Sequence, residues 1–392
     1  MPWTAPNLMN RRIEFAMKAV QTDNFRALCR EYGISPRIGY KWRDRFLEEG
    51  LSGMTELSRR PRSSCESVGE EVVCRMVVLK ERHRHWGPRK IREVYLRQWG
   101  EAPSESSFKR VLERCGMTEK RKVRSSKEAG RIASGRKATA PNEVWTVDFK
   151  GWWHDINGRC DPLTVRDEHS RYLLELRALP DAKTESVKAC FERLFEQHGL
   201  PGAIRSDNGT PFASPQALLG LSRLSVWWLA NGIDLERSRP GCPQDNGGHE
   251  RMHRDIAGEL EGAEYGERQS AFDTWRQEFN EQRPHEGLGM KTPAEVYVSS
   301  VRRWSGTPEQ ISYPKMSARK VTWSGEIKYE GEKIFLSRSL SGWHLGLQQR
   351  EDGNLNVYFA QLLLGTLEPE TLAFIPARPS KSTSGPETAL GA

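Results

Sequence analysis

The sequence predicts a multidomain protein, with all-α helix-turn-helix units at the N-terminus, a central α/β domain and a small β-barrel at the C-terminus. Three observations predict it. Apolar residues recur at helical spacing through the first 117 residues, in runs punctuated by Gly and Pro. From residue 143 an alternating segment, two strand-like runs and an amphipathic helix follow one another, as in α/β domains. Between 310 and 375 strand-like runs are joined by the hairpin signals Glu330-Gly331 and Asp352-Gly353. The expected divisions are two helix-turn-helix units at 1–57 and 68–117, a basic linker at 118–140, the α/β domain at 141–300, the barrel at 310–376, and a disordered tail at 377–392.

The first helical unit opens with "RRIEFAMKAV", where Ile13, Ala16, Met17 and Val20 fall at helical spacing. "DNFRALCREYG" follows, with Asp23 as a cap candidate and Gly33 as the stop. In "ISPRIGYKWRDRFLEEG", Ser35 can cap and Pro36 suits the first helical position. Ile38, Trp42 and Phe46 make an apolar stripe, leaving Arg37, Tyr40, Lys41 and Asp44 on another face, with Arg43 beside them. A helix, a Gly turn and a basic helix is the helix-turn-helix pattern, so Arg37, Tyr40, Lys41 and Arg43 are candidate DNA contacts. Residues 68–117 repeat the theme, as a second helix-turn-helix or winged helix. It places Phe108, Val111, Leu112 and Cys115 on one face and adds Arg89, Lys90, Lys109 and Arg110 as DNA candidates. The linker contributes Lys120, Arg121, Lys122 and Arg124, a basic run able to follow phosphates.

In the central domain "EVWTVDF" alternates as a strand should, and "DPLTVRDEHSRYLLELRAL" reads as two strands with a turn near His169–Arg171. Val187, Cys190, Phe191, Leu194, Phe195 and His198 line one face of a helix that Gly199 ends. "PGAIRSD" is a short buried strand, and a long helical stretch is expected from about 245 to 282.

Charge divides the 392-residue chain. Residues 1–140 hold 31 Lys and Arg against 17 Asp and Glu, a net of +14, whereas the remainder holds 29 against 35. A basic front half in a chain of pI ≈ 9.1, with Trp and Tyr interleaved, points to a nucleic-acid partner. No stretch approaches the roughly 20 apolar residues of a membrane span, and "MPWTAPNLMNRR" has no signal-type apolar run. Seven scattered cysteines without a Cys-x-x-Cys pair suit a reducing cytoplasm and argue against structural zinc or a disulfide framework. "HRH" at 83–85 is read as surface.

Three carboxylates stand out by context. Asp148 interrupts the apolar strand "VWTVDF", Asp207 ends "AIRSD" just before Asn-Gly, and Glu250 lies off the Met252/Ile256/Leu260 stripe of its helix. A bare cluster of acids at a strand end is costly unless it holds hard divalent cations. Two such ions about 3.5–4 Å apart activate a hydroxyl and stabilise the leaving oxygen in phosphoryl transfer, with no covalent protein nucleophile.

"WTVDFKG", "RSDNGTPF", "PQDNGGHERMHR" and "FNEQRPHEGLGMKTPAEVY", in that order over about 140–298, resemble the core of retroviral-type integrases and bacterial insertion-sequence transposases. The resemblance implies a ribonuclease-H-like fold in the central domain. It also implies Asp148, Asp207 and Glu250 as catalytic metal ligands for two Mg²⁺ (or Mn²⁺) ions, with Arg251 and Arg254 near DNA. The implied partners are double-stranded DNA (element ends and target) and further copies of the chain on that DNA, at the bacterial nucleoid. The implied reaction is hydrolytic cleavage of DNA ends and joining of a 3′-OH to target DNA. Two features depart from the retroviral pattern. Between Asp207 and Glu250 lie 42 residues, a longer spacing assigned to "SPQALLGLSRLSVWWLANGI", and the zinc-binding His/Cys module is absent. Asp167 in "VRDEHSR" is expected to be structural. A catalytically silent DNA-binding regulator, or a nuclease without strand transfer, is the rival reading.

Overall fold

The computed structural model describes residues 8–56, 68–118, 136–239, 247–261, 266–308 and 311–377. The chain forms two compact units, Met1–Ser67 and Val68–Ala392. The linker residues Lys120, Arg121, Lys122 and Arg124 and the expected disordered tail beyond 377 lie outside the described residues.

The first unit is three helices, α1 (Leu8–Gln21), α2 (Phe25–Glu31) and α3 (Pro36–Glu49). Ser35 caps α3 by accepting from the Ile38 N–H, and Pro36 takes the first position, as expected. The cap of α2 is Asn24 rather than Asp23, accepting from the Ala27 N–H at 3.1 Å. The inner face of α1 also differs from expectation. Ala16 is buried as expected, but Met17 and Val20 are 53% and 47% exposed, and Arg12, Phe15 and Ala19 are buried instead. Both sets satisfy helical spacing. The bulk of Phe15 decides, since its ring packs edge-on to Phe25 and Tyr32. Arg12 joins that face by laying its guanidinium over Trp42 and pairing with Glu56.

The second unit begins with α4 (Glu70–Arg82), α5 (Pro88–Trp99) and α6 (Glu105–Arg114) around Met76, Ile91, Tyr95 and Phe108. Cys115, expected on the inner face, is exposed. Next comes a five-stranded mixed sheet with β1 (Val144–Phe149) at its centre. β4 (Pro162–Asp167) and then β5 (Leu173–Ala178) lie antiparallel on one side. β6 (Ala203–Ser206) and then β7 (Asp234–Arg237) lie parallel on the other. A two-stranded ribbon, β2 (Trp153–Asp155) and β3 (Gly158–Cys160), extends the β1–β4 connection. β1 is buried on both faces as far as Val147 rather than one-sided. Its Trp145 and Val147 meet Phe191, Phe195 and Trp228, from α7 (Thr184–His198) and α8 (Arg223–Ala230). The long "SPQALLGLSRLSVWWLANGI" segment is therefore a loop and a core helix, with Trp227 and Trp228 buried.

The opposite face of the sheet is covered by α9 (Gly247–Glu259) and α10 (Arg268–Glu281), two helices in place of one long stretch. Met252, Ile256 and Leu260 pack with Phe272, Trp275 and Phe279 over Leu173 and Leu176. Each such burial stabilises by about 1.5–3 kcal/mol. Arg283 clamps α9 by ion pairs to Asp255 (2.9 Å) and Glu259 (3.4 Å).

The C-terminal region is all-β, but the expected barrel is not closed. One sheet runs β14–β13–β12–β11–β8, from β14 (Ala373–Pro376), β13 (Leu362–Glu368), β12 (Leu355–Phe359) and β11 (His344–Gln349) to β8 (Ser317–Lys320). A separate hairpin of β9 (Glu326–Tyr329) and β10 (Glu332–Phe335) lies against β8 and β14 without continuing the ladder. Glu330 and Gly331, both at positive φ, make its two-residue turn.

Candidate active site

Asp148 and Asp207 reach the same end of the sheet through register. β1 and β6 run parallel, with Val144, Trp145 and Thr146 opposite Ala203, Ile204 and Arg205. Two residues beyond the last pair stand Asp148 on one strand and Asp207 on the other. Asp207 is exposed and closes its own turn, Oδ1 accepting from the Gly209 N–H at 3.0 Å. A Cβ at Gly209 would stand 2.9 Å from Asp207 Oδ2, so a side chain there would displace that carboxylate from its present place. Arg237, on β7, braces the same turn by donating to Ser206 Oγ and Phe212 O, each at 2.7 Å. Burial lowers its pKa to about 10 while Asp207 opposes the shift.

Glu250 lies in the first turn of α9, exposed, one residue after the fully buried His249. Asp148 is half-buried, and its carboxyl is raised from 3.8 to about 7. Burial is the main cause, followed by the charge of Asp207. Asp161 and Glu250 add to it, and a hydrogen bond from the Phe149 N–H opposes it. The strand-end acids and the helix acid therefore act on one another. They are not gathered as a ready cage: among the described residues, no group of three or more His, Cys, Asp or Glu side chains could hold a metal ion.

The other strand-end acid, Asp167, sits at the far end of the β1–β4 ladder, opposite Trp145. It is completely buried and accepts from the Asn142 N–H (2.7 Å), the Ser170 N–H (2.7 Å) and the Ser170 hydroxyl (2.6 Å). It builds a turn and faces none of the other three.

Of the candidate DNA contacts on α3, Arg37, Tyr40 and Lys41 are exposed. Tyr40 stacks on Phe25 at 4.2 Å, and Arg43 lies over the Tyr40 ring while pairing with Asp44. On α5, Arg89 pairs with Glu105 and with Glu286 of the α/β domain. Lys90 is half-buried, and its pKa is lowered to about 8, first by burial and then by Arg283. Lys109 and Arg110 on α6 are exposed, as are Arg251 and Arg254 on α9. His83, read as surface, is buried. It stacks on Trp86 at 3.9 Å and meets Glu278 at 2.9 Å, because α4 packs on the α/β domain rather than on solvent.

Sequence reasoning passed over several residues behind the acids. His249 and His253 contact Thr164 and Thr146 beneath Asp148. The buried Arg166 pairs with Glu168, and Lys150 pairs with Glu261 at 3.1 Å. Asp161 could have been suspected from its place at the mouth of a strand, in "CDPLTV".

Family comparison matches this region. Two descriptions named "Integrase core domain" match residues 138–243 and 231–293, an interval containing all three acids. A "Helix-turn-helix domain" matches 11–62 and a "Homeodomain-like domain" matches 38–112. The insertion element IS407 uncharacterized protein of Burkholderia multivorans is 26% identical over 232 residues, 58% of this chain and 80% of that protein. The chain thus carries an integrase-type core beside helix-turn-helix matches and is similar to proteins of bacterial insertion elements. A similar protein of insertion element IS476 from Xanthomonas euvesicatoria is 23% identical over 225 residues, 56% of this chain and 63% of that protein. Among solved structures, the HTLV-2 integrase catalytic core domain in complex with magnesium is 16% identical, with TM-score 0.32, covering 41% of this transposase-type chain and 99% of its own. The catalytic core domain of BIV integrase is 23% identical, with TM-score 0.31, covering 40% and 93%. No helix among the described residues is long and apolar enough to cross a membrane.

Proposed function

We propose that this transposase binds the terminal inverted repeats of its element, cleaves the DNA ends by hydrolysis and joins the freed 3′-OH to target DNA. The observation that carries the reading is the raised carboxyl of Asp148, held at about 7 first by burial and then by the charges of Asp207, Asp161 and Glu250. Carboxylate oxygens are the donors hard divalent cations prefer, and a cation among them relieves the repulsion. Asp148, Asp207 and Glu250 would hold Mg²⁺ or Mn²⁺, two ions in the working complex. When bound, the ions activate the attacking hydroxyl and stabilise the leaving oxygen. The chain supplies placement: Arg237 and Gly209 fix the Asp207 turn, and α9 presents Glu250 from the other side. Arg251 and Arg254, exposed on the same helix, are placed to meet phosphates. Copies of the chain would assemble on double-stranded DNA in the bacterial cytoplasm, at the nucleoid.

The test is cleavage and joining of DNA carrying the element's own ends. Asp148→Asn, Asp207→Asn and Glu250→Gln should each lower both steps by more than about a thousandfold, as loss of a preorganised charge site does, while binding the ends normally. A mutant that joins DNA at the wild-type rate overturns the assignment of that residue. A wild-type protein that binds ends and never cleaves them favours the silent regulator.

Sequence reading is assigned to α3. Arg37→Ala should weaken specific binding about tenfold more than random binding, the worth of a bidentate base contact. Lys41→Ala should weaken both equally, as a phosphate contact does. Competition at fixed salt between specific and scrambled duplexes checks this. Equal losses from Arg37→Ala move base readout to the second helical unit, at 87–116.

A further inference from the structure

α9 meets the sheet through a buried polar junction. His249 is 0% exposed, with Nδ1 2.8 Å from Thr146 Oγ1 and Nε2 2.9 Å from Thr164 Oγ1. One turn later His253 brings its Nε2 within 2.8 Å of the same Thr164 hydroxyl. The two threonines belong to neighbouring antiparallel strands. Thr164 pairs directly with Asp148, and Thr146 precedes Asp148 by two residues, on the same face of β1. Thr164 Oγ1 also donates to the Asp148 carbonyl at 2.9 Å.

Proton bookkeeping fixes the direction of the Thr164 bonds. A hydroxyl has one proton and two lone pairs, and a backbone carbonyl only accepts. Thr164 gives its proton to Asp148 O, so it must accept from both histidines. His249 and His253 therefore each carry a proton on Nε2. The Thr164 hydroxyl is saturated, the one bond given going to β1 and the two received coming from α9.

We infer that His249 is a positioning residue, anchored by Thr164, that sets where Glu250 stands relative to Asp148. Glu250 follows His249 by one residue and so projects about 100° around the helix from it. Pinning His249 to the strand pair fixes the rotation of α9, and His253 one turn on fixes its tilt. Gly248 lets the first turn of α9 come this close, since a Cβ there would collide with the Arg166 guanidinium of β4. The third carboxylate is thus located by hydrogen bonds to the strands that carry and flank the first. The inference rests on the reading of the three acids as a divalent-cation site.

The experiment uses the full chain and needs no turnover. Thermal unfolding is followed against Mg²⁺ and Mn²⁺ concentration for wild type, Thr164→Val, Thr164→Ser and His249→Leu, with binding of duplex DNA measured in parallel. Thr164→Val and His249→Leu should raise the cation concentration for half-maximal stabilisation by about 10–100-fold, the usual cost of losing a residue that orients ligands. DNA binding should stay unchanged. Thr164→Ser, which keeps the hydroxyl, should remain within about twofold of wild type. A merely structural role lowers the melting temperature without moving the cation midpoint, and that result overturns the inference. Should His249→Leu not fold, the Val/Ser pair at 164 decides. If wild type itself shows no cation-dependent stabilisation, the cation site fails. A wild-type response that the Val variant shares sinks the pin alone.

Discussion

Asp148 and Asp167 sit at opposite ends of one pair of strands, on β1 and β4, and the same residue type meets opposite company. Asp167 is the more buried of the two, yet two backbone N–H groups and a hydroxyl receive its charge. Asp148 is less buried, and the charges of Asp207, Asp161 and Glu250 act on it alongside a hydrogen bond from the Phe149 N–H. Burial raises the pKa of both, but hydrogen bonds from Ser170 and Asn142 oppose the shift at Asp167, whereas Asp207 adds to it at Asp148. Depth does not separate the two carboxylates. What separates them is that like charge adds to the shift at Asp148, a repulsion that a bound cation would relieve.

The comparison breaks most clearly at Asp167→Asn. The amide offers one acceptor oxygen and turns a donor toward the Asn142 and Ser170 donors, so at least one buried bond is lost and a donor faces a donor. Stability should fall by about 2–4 kcal/mol, read by chemical denaturation, while cleavage per folded molecule stays within about threefold of wild type. Normal stability with lost cleavage would make Asp167 part of the reaction and erase the distinction drawn here.

Asp148→Asn should behave in the opposite sense. Its folded pKa of about 7 exceeds its ordinary 3.8, so the folded chain holds this proton more tightly than the unfolded chain does. The wild type must therefore lose stability relative to the Asn variant as pH climbs from about 4 to 7, and the two should coincide below about 4. The full shift corresponds to about 4 kcal/mol. Partial exposure reduces this to about 2 kcal/mol in favour of the variant at pH 8. The measurement is denaturation in a chelator across that range. A pH-independent difference would show that the acids do not repel Asp148 as placed, and restoring Mg²⁺ should reverse the ranking.

The two aspartates were separable in the sequence only in part. Asp148 was legible because a carboxylate in "VWTVDF" violates an apolar pattern, and Asp207 because a strand stops there on Asn-Gly. The helix-turn-helix face of α3 was legible through its cap, its Pro36 and the Ile38/Trp42/Phe46 stripe. Other features have no local signature. Thr146 and Thr164 sit on buried positions where polarity looks like solvent exposure, and their partner His249 lies 103 and 85 residues away. On α1 two stripes fit the helical period equally, and only packing against α2 and α3 chooses Phe15 over Met17. Openness of the C-terminal sheet depends on whether β8 and β14 pair with the hairpin, a choice between segments that no single segment encodes.

The smallest change sharpens the comparison most finely. Ser170 gives Asp167 two of its three bonds, one from its N–H and one from its hydroxyl. Ser170→Ala removes the second, together with the acceptor of the Tyr172 N–H at 3.2 Å, and keeps the Ser170 N–H bond to Asp167. A hydrogen bond to a charged acceptor contributes about 1.5–3 kcal/mol, and Asp167 retains two backbone donors, so a loss near the lower figure is expected. The same bond lowers the Asp167 pKa, so its removal should push that carboxyl further up. The penalty of ionising Asp167 would then grow with pH, and Ser170→Ala should lose more stability at pH 8 than at pH 4. Asp167 would have been moved toward the condition of Asp148 by taking away one donor. If the variant instead loses the same stability at both pH values, the Ser170 hydroxyl does not act through the Asp167 charge, and the contrast between the two strand ends lies in burial after all.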